Sequence, residues 1–207
     1  MKLVSYAKDG KARFALLLDN KVIDLASAAA VLALGEMPSK AEDYFDDLDR
    51  CDAIARKIEA EAKRGAPQLQ TAVIPLADVR LLPPIARPPK CICVARNYAE
   101  HAKEAGLQIS EIPIMFARFG RTFLGQGAPV VVPTVSPQVD WEGELAIIIG
   151  KTSDHRVTKA EAMAYVYGYS IFNDVTVRDY QFRVTQYTAG KNFRASGPFG
   201  PMIVTAD

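Results

Sequence analysis

Apolar runs, charged faces and prolines follow one another along this chain in a pattern that divides it. Near the start, "LVSYA" and "RFALLL" read as strands, and in "LLLDNKVIDL" Asp19-Asn20 separates two apolar runs, a hairpin signal. "SAAAVLALG" predicts a short helix that Gly35 can end. Residues 41–64, "AEDYFDDLDRCDAIARKIEAEAKR", predict the clearest helix, with Tyr44, Phe45, Leu48, Ile54 and Ile58 as its apolar stripe. Acidic residues from Glu42 to Asp49 crowd its start and basic residues from Arg56 to Arg64 its end, as the helix dipole favours. That charge run reads as a solvated face. Prolines at 67, 75, 83, 84, 88 and 89 then break the pattern, because proline is excluded from helix interiors and central strands. The break predicts a linker with short edge strands between a small N-terminal α/β module, residues 1–75, and a second domain, residues 76–207.

The second domain reads as strand-rich. "KCICVA", "IPIMFARF", "APVVVP", "DWEGELAIIIG" and "AYVYGYSIFNDV" are apolar or alternating runs separated by Gly/Pro loops. Helices are expected at about 97–105 and at 159–165, the latter capped by Thr158. The fold class is therefore α+β, mostly β.

Composition narrows the function classes. Of 207 residues, 49% are hydrophobic and 24% charged, and the net charge is +1, which offers no electrostatic footprint for nucleic acid or an acidic membrane surface. No apolar stretch approaches the length of a membrane span, and the start lacks a signal-peptide core. Cys51, Cys91 and Cys93 are odd in number, and the apolar run around Cys91 and Cys93 predicts buried thiols and a reducing cytoplasm.

The stretch "VDWEGELAIIIGK" poses the chemical question. Asp140, Glu142 and Glu144 stand at alternate positions, so a strand would put three like charges on one face. Either water bathes that face or something cationic sits on it. Glu142 and Glu144 suit a hard divalent ion with oxygen ligands, or mark a solvated face; the apolar run Leu145–Ile149 favours a strand entering a core. In "SIFNDVTVRDYQ", Asp174 can be a third oxygen ligand or an N-cap, with Arg178 and Gln181 on the next turn. In "VARNYAEHAKEAG", His101 and Glu104 stand at i and i+3, the arrangement of a carboxylate-oriented general base or of an incidental surface pair. His155 lies in a polar turn and reads as surface. Nucleophile-elbow, Walker and dinucleotide motifs do not occur.

Taken together, "ARNYAEHAKEAG", "DWEGELAIIIGK", "GYSIFNDVTVRDYQ" and "AGKNFRASGPFGP", in this order and spacing, resemble the fumarylacetoacetate hydrolase family over about residues 76–207. The resemblance implies a β-rich, roll-like catalytic domain that binds Mg²⁺ or Mn²⁺, with Ca²⁺ able to occupy the same site in crystals. It places Glu142, Glu144 and Asp174 on metal-ligand positions and Asp140 at their rim. His101 and Glu104 match the water-activating pair, Lys191 the cation that stabilises substrate charge, and Arg178 and Gln181 positions that contact substrate. It implies hydrolysis of a C–C bond in a 1,3-dicarbonyl or acylpyruvate-type acid through a metal-stabilised enolate. The alternatives are a decarboxylase or isomerase of unsaturated dicarboxylic acids in aromatic degradation, and a truncated, non-catalytic paralogue. The implied partners are a small oxo-acid substrate and a second copy in a homodimer, without nucleic acid or membrane. Arg118 stands where many relatives have lysine and is expected to reshape the substrate pocket. Relatives continue for some tens of residues past the position of Asp207, so the catalytic domain is expected to be incomplete at its C-terminus.

Overall fold

A computed structural model of the chain describes residues 1–100, 111–153 and 156–207. Three antiparallel strands open it: β1 (Lys2–Lys8), β2 (Lys11–Leu18) and β3 (Lys21–Asp24), with Leu3 opposite Leu16 and Leu18 opposite Lys21. The β2–β3 turn is the Asp19-Asn20 pair read from sequence, and Asp19 takes φ +51°, a region aspartate tolerates. Asp24 ends β3 and caps helix α1 (Leu25–Val31), accepting the Ser27 N–H at 2.8 Å and the Tyr6 hydroxyl at 2.8 Å while pairing with Arg13. Burial pushes its carboxyl up, but bonds from Arg13, Ser27 and Tyr6 outweigh that and hold it at about 2. Gly35 is not what ends α1. The chain turns out at Ala33, with φ +52°, where Leu34 N–H reaches Ala29 O and Ala33 N–H reaches Ala30 O.

The helix expected over 41–64 is two helices, α2 (Ala41–Asp46) and α3 (Leu48–Lys63), divided at Asp47, whose φ of −131° is not helical. Both halves still bury the predicted stripe: Tyr44, Ile54 and Ile58 join Leu3, Phe14 and Ile23 in one core, and the Phe14 and Tyr44 rings meet edge-on at 5.0 Å. The proline-rich stretch supplies the short edge strands β4 (Val73–Pro75), against β3, and β5 (Arg80–Leu82), against β1.

The remaining strands are β6 (Ile92–Ala95) and β7 (Ile114–Ala117), which pair with each other, then β8 (Phe123–Leu124), β9 (Val139–Asp140), β10 (Gly143–Ile149), β11 (Val166–Asn173) and β12 (Thr176–Val177). Short helices α4 (Arg178–Phe182) and α5 (Thr188–Lys191) precede β13 (Gly197–Thr205). The helix expected at 159–165 is a single 3₁₀ turn, Ala162–Tyr165, and Glu161 bonds back to the Thr158 N–H and hydroxyl. The helix expected at about 97–105 falls largely outside the described residues.

The main sheet runs β10-β11-β13-β1-β2-β3-β4. Lys2 and Leu3 of β1 pair with Val204 and Ile203 of β13, so the N-terminal strands and the later ones share one sheet and one core. Such pairing between distant strands leaves no local mark in sequence. β10 lies at the free end of this order, and its apolar run does not enter a core as expected. Ile148 is buried, whereas Leu145, Ile147 and Ile149 are 59%, 54% and 60% exposed. Pleating sends alternate residues to opposite faces, and only the Glu144–Ala146–Ile148 face packs inward.

Candidate functional site

Backbone pairing fixes the acidic residues before any side chain is considered. β10 and β11 run antiparallel with Gly143 opposite Asn173 and Glu144 opposite Phe172. Just beyond that pairing, the Asp174 N–H donates to Glu142 O at 2.8 Å, and the Glu142 N–H donates to the Asn173 side chain at 3.0 Å. β9 and β12 extend the lock, with Asp140 opposite Thr176. Glu142, Glu144 and Asp174 thus gather where two strand pairs meet, although Glu142 itself sits between β9 and β10 and not within one continuous strand.

Side-chain cations answer part of the charge problem. Lys191, at the end of α5, is 2% exposed, and its Nζ lies 2.7 Å from Glu142 Oε2 and 2.7 Å from Asp174 Oδ2. Arg178 opens α4; its Nη2 meets Asp140 Oδ2 at 2.7 Å and its Nη1 meets both Glu142 Oε1 and, at 3.0 Å, Gln181 Oε1. The α4–α5 approach that sets both cations requires Gly190, because a Cβ there would lie 2.7 Å from the Gln181 nitrogen. Arg118, just after β7, is fully buried. Its Nη1 is 3.1 Å from Asp174 Oδ1 and its Nη2 donates to Ser196 O at 2.7 Å. Arg118 thus braces Asp174, and Gly197 is bare because a Cβ would meet Arg118 Nη2 at 2.7 Å.

The electrostatics separate the carboxylates. Burial pushes Glu142 up, but Lys191 and Arg178 outweigh it and hold its carboxyl below the usual range. Asp174 is driven up by burial, which Lys191 and Arg118 offset only in part. Neither of its two cation contacts has hydrogen-bond geometry, although no part of the residue is exposed. Glu144 is pushed up to about 7 by burial, then by Asp174 and Glu142. Among the described residues, three side-chain cations face four carboxylates, and Glu144 is the carboxylate that no ion pair engages at close range.

That imbalance is what a divalent cation relieves, and the donors present fit one. Cys93 on β6, Glu144 and Asp174 each offer a ligand atom, all within 4.8 Å of one another. The structure thus brings Cys93, which the sequence predicts to be a buried thiol, to the site, and Cys91 beside it is half-buried. The alternate spacing of Cys91, just before β6, and Cys93 on it was the available signal, since extended chain puts both on one face. His101, Glu104 and His155 lie outside the described residues.

A pH dependence follows from Glu144. Below about 7 it carries a proton that an ion must displace, so Mg²⁺ affinity is expected to fall about tenfold per pH unit on acidification and to level off above about 7. Without an ion the unfolded chain releases this proton first, so the same group makes the fold lose stability as pH rises from the ordinary carboxylate range to about 7. Calorimetric titration across this range measures the first effect, and a flat affinity would place Glu144 outside the ion's ligand set.

Residues 90–207 match the family described as Fumarylacetoacetate (FAA) hydrolase C-terminal. The human mitochondrial oxaloacetate tautomerase FAHD2A is 40% identical over 146 residues, which cover 70% of this chain and 46% of that protein. Oxaloacetate tautomerase YisK of Bacillus subtilis is 37% identical over 191 residues, covering 90% and 63%. Among solved structures, maleylpyruvate hydrolase from Sphingobium sp. SYK-6, in complex with manganese (II) ion and pyruvate, superposes with a TM-score of 0.71 at 29% identity, covering all of this chain and 68% of that one. Fumarylacetoacetate hydrolase from Exiguobacterium antarcticum does so with a TM-score of 0.67 at 31% identity, covering 99% and 66%. The chain spans about half the length of the human relative.

Proposed function

The chain belongs to the fumarylacetoacetate hydrolase family, and on that premise we propose that it acts on a small 2-oxo dicarboxylic acid by enolisation, beginning with keto–enol interconversion of oxaloacetate. The observation that carries this reading is the buried Lys191 ammonium, held 2.7 Å from both Glu142 and Asp174. A cation fixed there without solvent is placed to stabilise negative charge as it develops on a substrate oxygen, at no cost of reorganisation. Arg178, partly exposed and steadied by Gln181, offers a guanidinium for a substrate carboxylate. His101 and Glu104, which match the family's proton-transfer pair in sequence, would move the proton. Glu142, Glu144 and Asp174 would hold Mg²⁺ or Mn²⁺, and such an ion supplies Lewis-acid polarisation of a carbonyl when bound. The names of the relatives at 37% and 40% identity support oxaloacetate as substrate.

Hydrolysis of a C–C bond in an acylpyruvate-type substrate is the second reading, supported by the similarity to the pyruvate-bound maleylpyruvate hydrolase. Here the same lysine faces an enolate leaving group, and His101 deprotonates water. The test is to supply oxaloacetate and a panel of acylpyruvates with Mg²⁺ or Mn²⁺, following enol absorbance and identifying products. Acceleration of neither reaction would sink the proposal.

The chain also acts, in this reading, as a homodimer. Leu145 and Ile147 of β10, Ile171 of β11 and Val204 of β13 form an exposed apolar sheet face, and such faces mark association surfaces. Light scattering over a concentration series is expected to report a dimer; a monodisperse monomer at tens of micromolar would contradict it. Among the described residues, no helix is long and apolar enough to cross a membrane.

A further inference from the structure

Two guanidiniums of the candidate site are already matched: Arg118 meets Asp174 and Ser196, and Arg178 meets Asp140, Glu142 and Gln181. A third is not. Arg96 follows β6, and its Nη2 lies 3.2 Å from the Tyr187 hydroxyl, a neutral partner. Its Nε is buried without a hydrogen-bond partner, and among the described residues no carboxylate pairs with it. A buried donor left unmet is costly, and an acceptor on a ligand removes the cost. The chain on either side of Arg96 is tied to the acidic strand. Three residues before it, Cys93 lies with Glu144 and Asp174; two residues after it, the Tyr98 hydroxyl accepts the Leu145 N–H at 2.9 Å. The Arg96 side chain reaches instead to Tyr187, about one helical turn before Lys191. The Tyr187 ring meets Phe116 edge-on at 5.9 Å, and Lys191 Nζ lies 5.3 Å from the Phe116 ring centre. Arg96 thus spans from the strand of Glu144 to the helix of Lys191. Its φ of +58° is in the left-handed region, a strain that concentrates at ligand-binding positions.

We infer that Arg96 is a specificity-determining residue, whose guanidinium binds the carboxylate of a 2-oxo dicarboxylic acid that lies farther from the 2-oxo group. The inference rests on the reading of the site as one for such an acid, and deepens it by naming the side chain that reads the second carboxylate. A guanidinium presents its N–H groups as a planar fork that fits a carboxylate, and the bare Nε lies on one edge of that fork. Tyr187 steadies the group at Nη2 before a substrate arrives, which lowers the ordering cost of binding. A 2-oxo monocarboxylic acid leaves the guanidinium unmet. A site built to pair a polar group rejects the analogue lacking it more strongly than an apolar pocket rejects a missing methylene.

Malate shares the dicarboxylate skeleton of oxaloacetate but does not enolise, so it reports the contact without turnover. Calorimetry in Mg²⁺ is expected to show malate binding the wild-type protein about 10–10²-fold tighter than its 4-methyl ester, whose distal carboxyl is neutral. Arg96→Gln should bind the two about equally, and Arg96→Lys should recover part of the preference. Tyr187→Phe keeps the ring against Phe116 and loses the hydroxyl, so it should weaken malate binding by a smaller factor. A merely structural role for Arg96 would lower both affinities together and leave their ratio intact, which would overturn the inference. Wild-type protein without a preference for malate would overturn it as well, whatever the variants do. A preference that vanishes in Arg96→Gln, in protein that accelerates neither oxaloacetate enolisation nor acylpyruvate cleavage, would remove the proposed chemistry and leave the inference standing. Enolisation of oxaloacetate by protein that binds malate no better than its ester would do the reverse.

Discussion

Replacing Lys191 with methionine is expected to destabilise the ion-free chain by about 3–5 kcal/mol, the usual cost of removing one partner from a buried ion pair. Methionine keeps much of the length and apolar contact of the lysine stem, so the change isolates the charge. Without it, Glu142 retains Arg178 and Asp174 retains Arg118, but the two carboxylates lose the cation that bridges them at 2.7 Å on each side. Asp174 has no exposed surface through which water could compensate. Urea denaturation followed by circular dichroism is the suitable measurement, because Trp141 is the single tryptophan and is exposed, which makes its fluorescence a weak reporter. Turnover of a true substrate should also drop, by about the 10²–10³-fold typical of losing one electrostatic stabiliser. A denaturation midpoint equal to that of the parent protein would show that Lys191 does not hold the carboxylates together.

His101→Ala is expected to lower turnover by about 10²–10⁴-fold, the range for a general acid–base group, while divalent-ion affinity stays nearly intact. The split between the two readouts is what gives the variant its meaning. A histidine that ligated the ion would reduce both, and an incidental surface histidine would reduce neither. Glu104→Gln is expected to have a smaller effect in the same direction if Glu104 serves as the carboxylate partner that the family resemblance implies, because such a partner raises imidazole basicity without moving the proton itself. Single-turnover rates alongside Mg²⁺ and Mn²⁺ calorimetry distinguish these outcomes. An undiminished rate in His101→Ala would remove this pair from the mechanism.

Local chemistry was legible in the sequence, and its limits are visible in particular residues. The Asp19-Asn20 turn, the apolar stripe through Tyr44, Ile54 and Ile58, and the short edge strands of the proline-rich stretch all depend on neighbours a few positions away, and the structure shows each of them. The break at Asp47 and the exit of α1 at Ala33 depend on how those helices seat against the sheet, so periodicity overran the first and glycine preference misplaced the second. β10 shows the same limit more sharply. An apolar run of five residues read as a strand bound for the core, but a strand covered on one face buries only alternate residues, and which face is covered depends on elements that arrive from elsewhere.

The sequence by itself determined the family, the β-rich class and the residue types available for chemistry: four ordered motifs, a run of carboxylates at alternate positions and a lysine in "GKNF". Only the tertiary structure decided who partners whom. Arg178 reaches Asp140 and Glu142 across 38 and 36 residues, Arg118 reaches Asp174 across 56, and β6 brings Cys93 to carboxylates that lie on other strands. The physical reason is range. Turn, helix and strand preferences act between near neighbours and are written in adjacent letters, whereas the balance of charge in a buried site is set by long-range strand pairing and by the removal of water, and neither exists until the chain has folded.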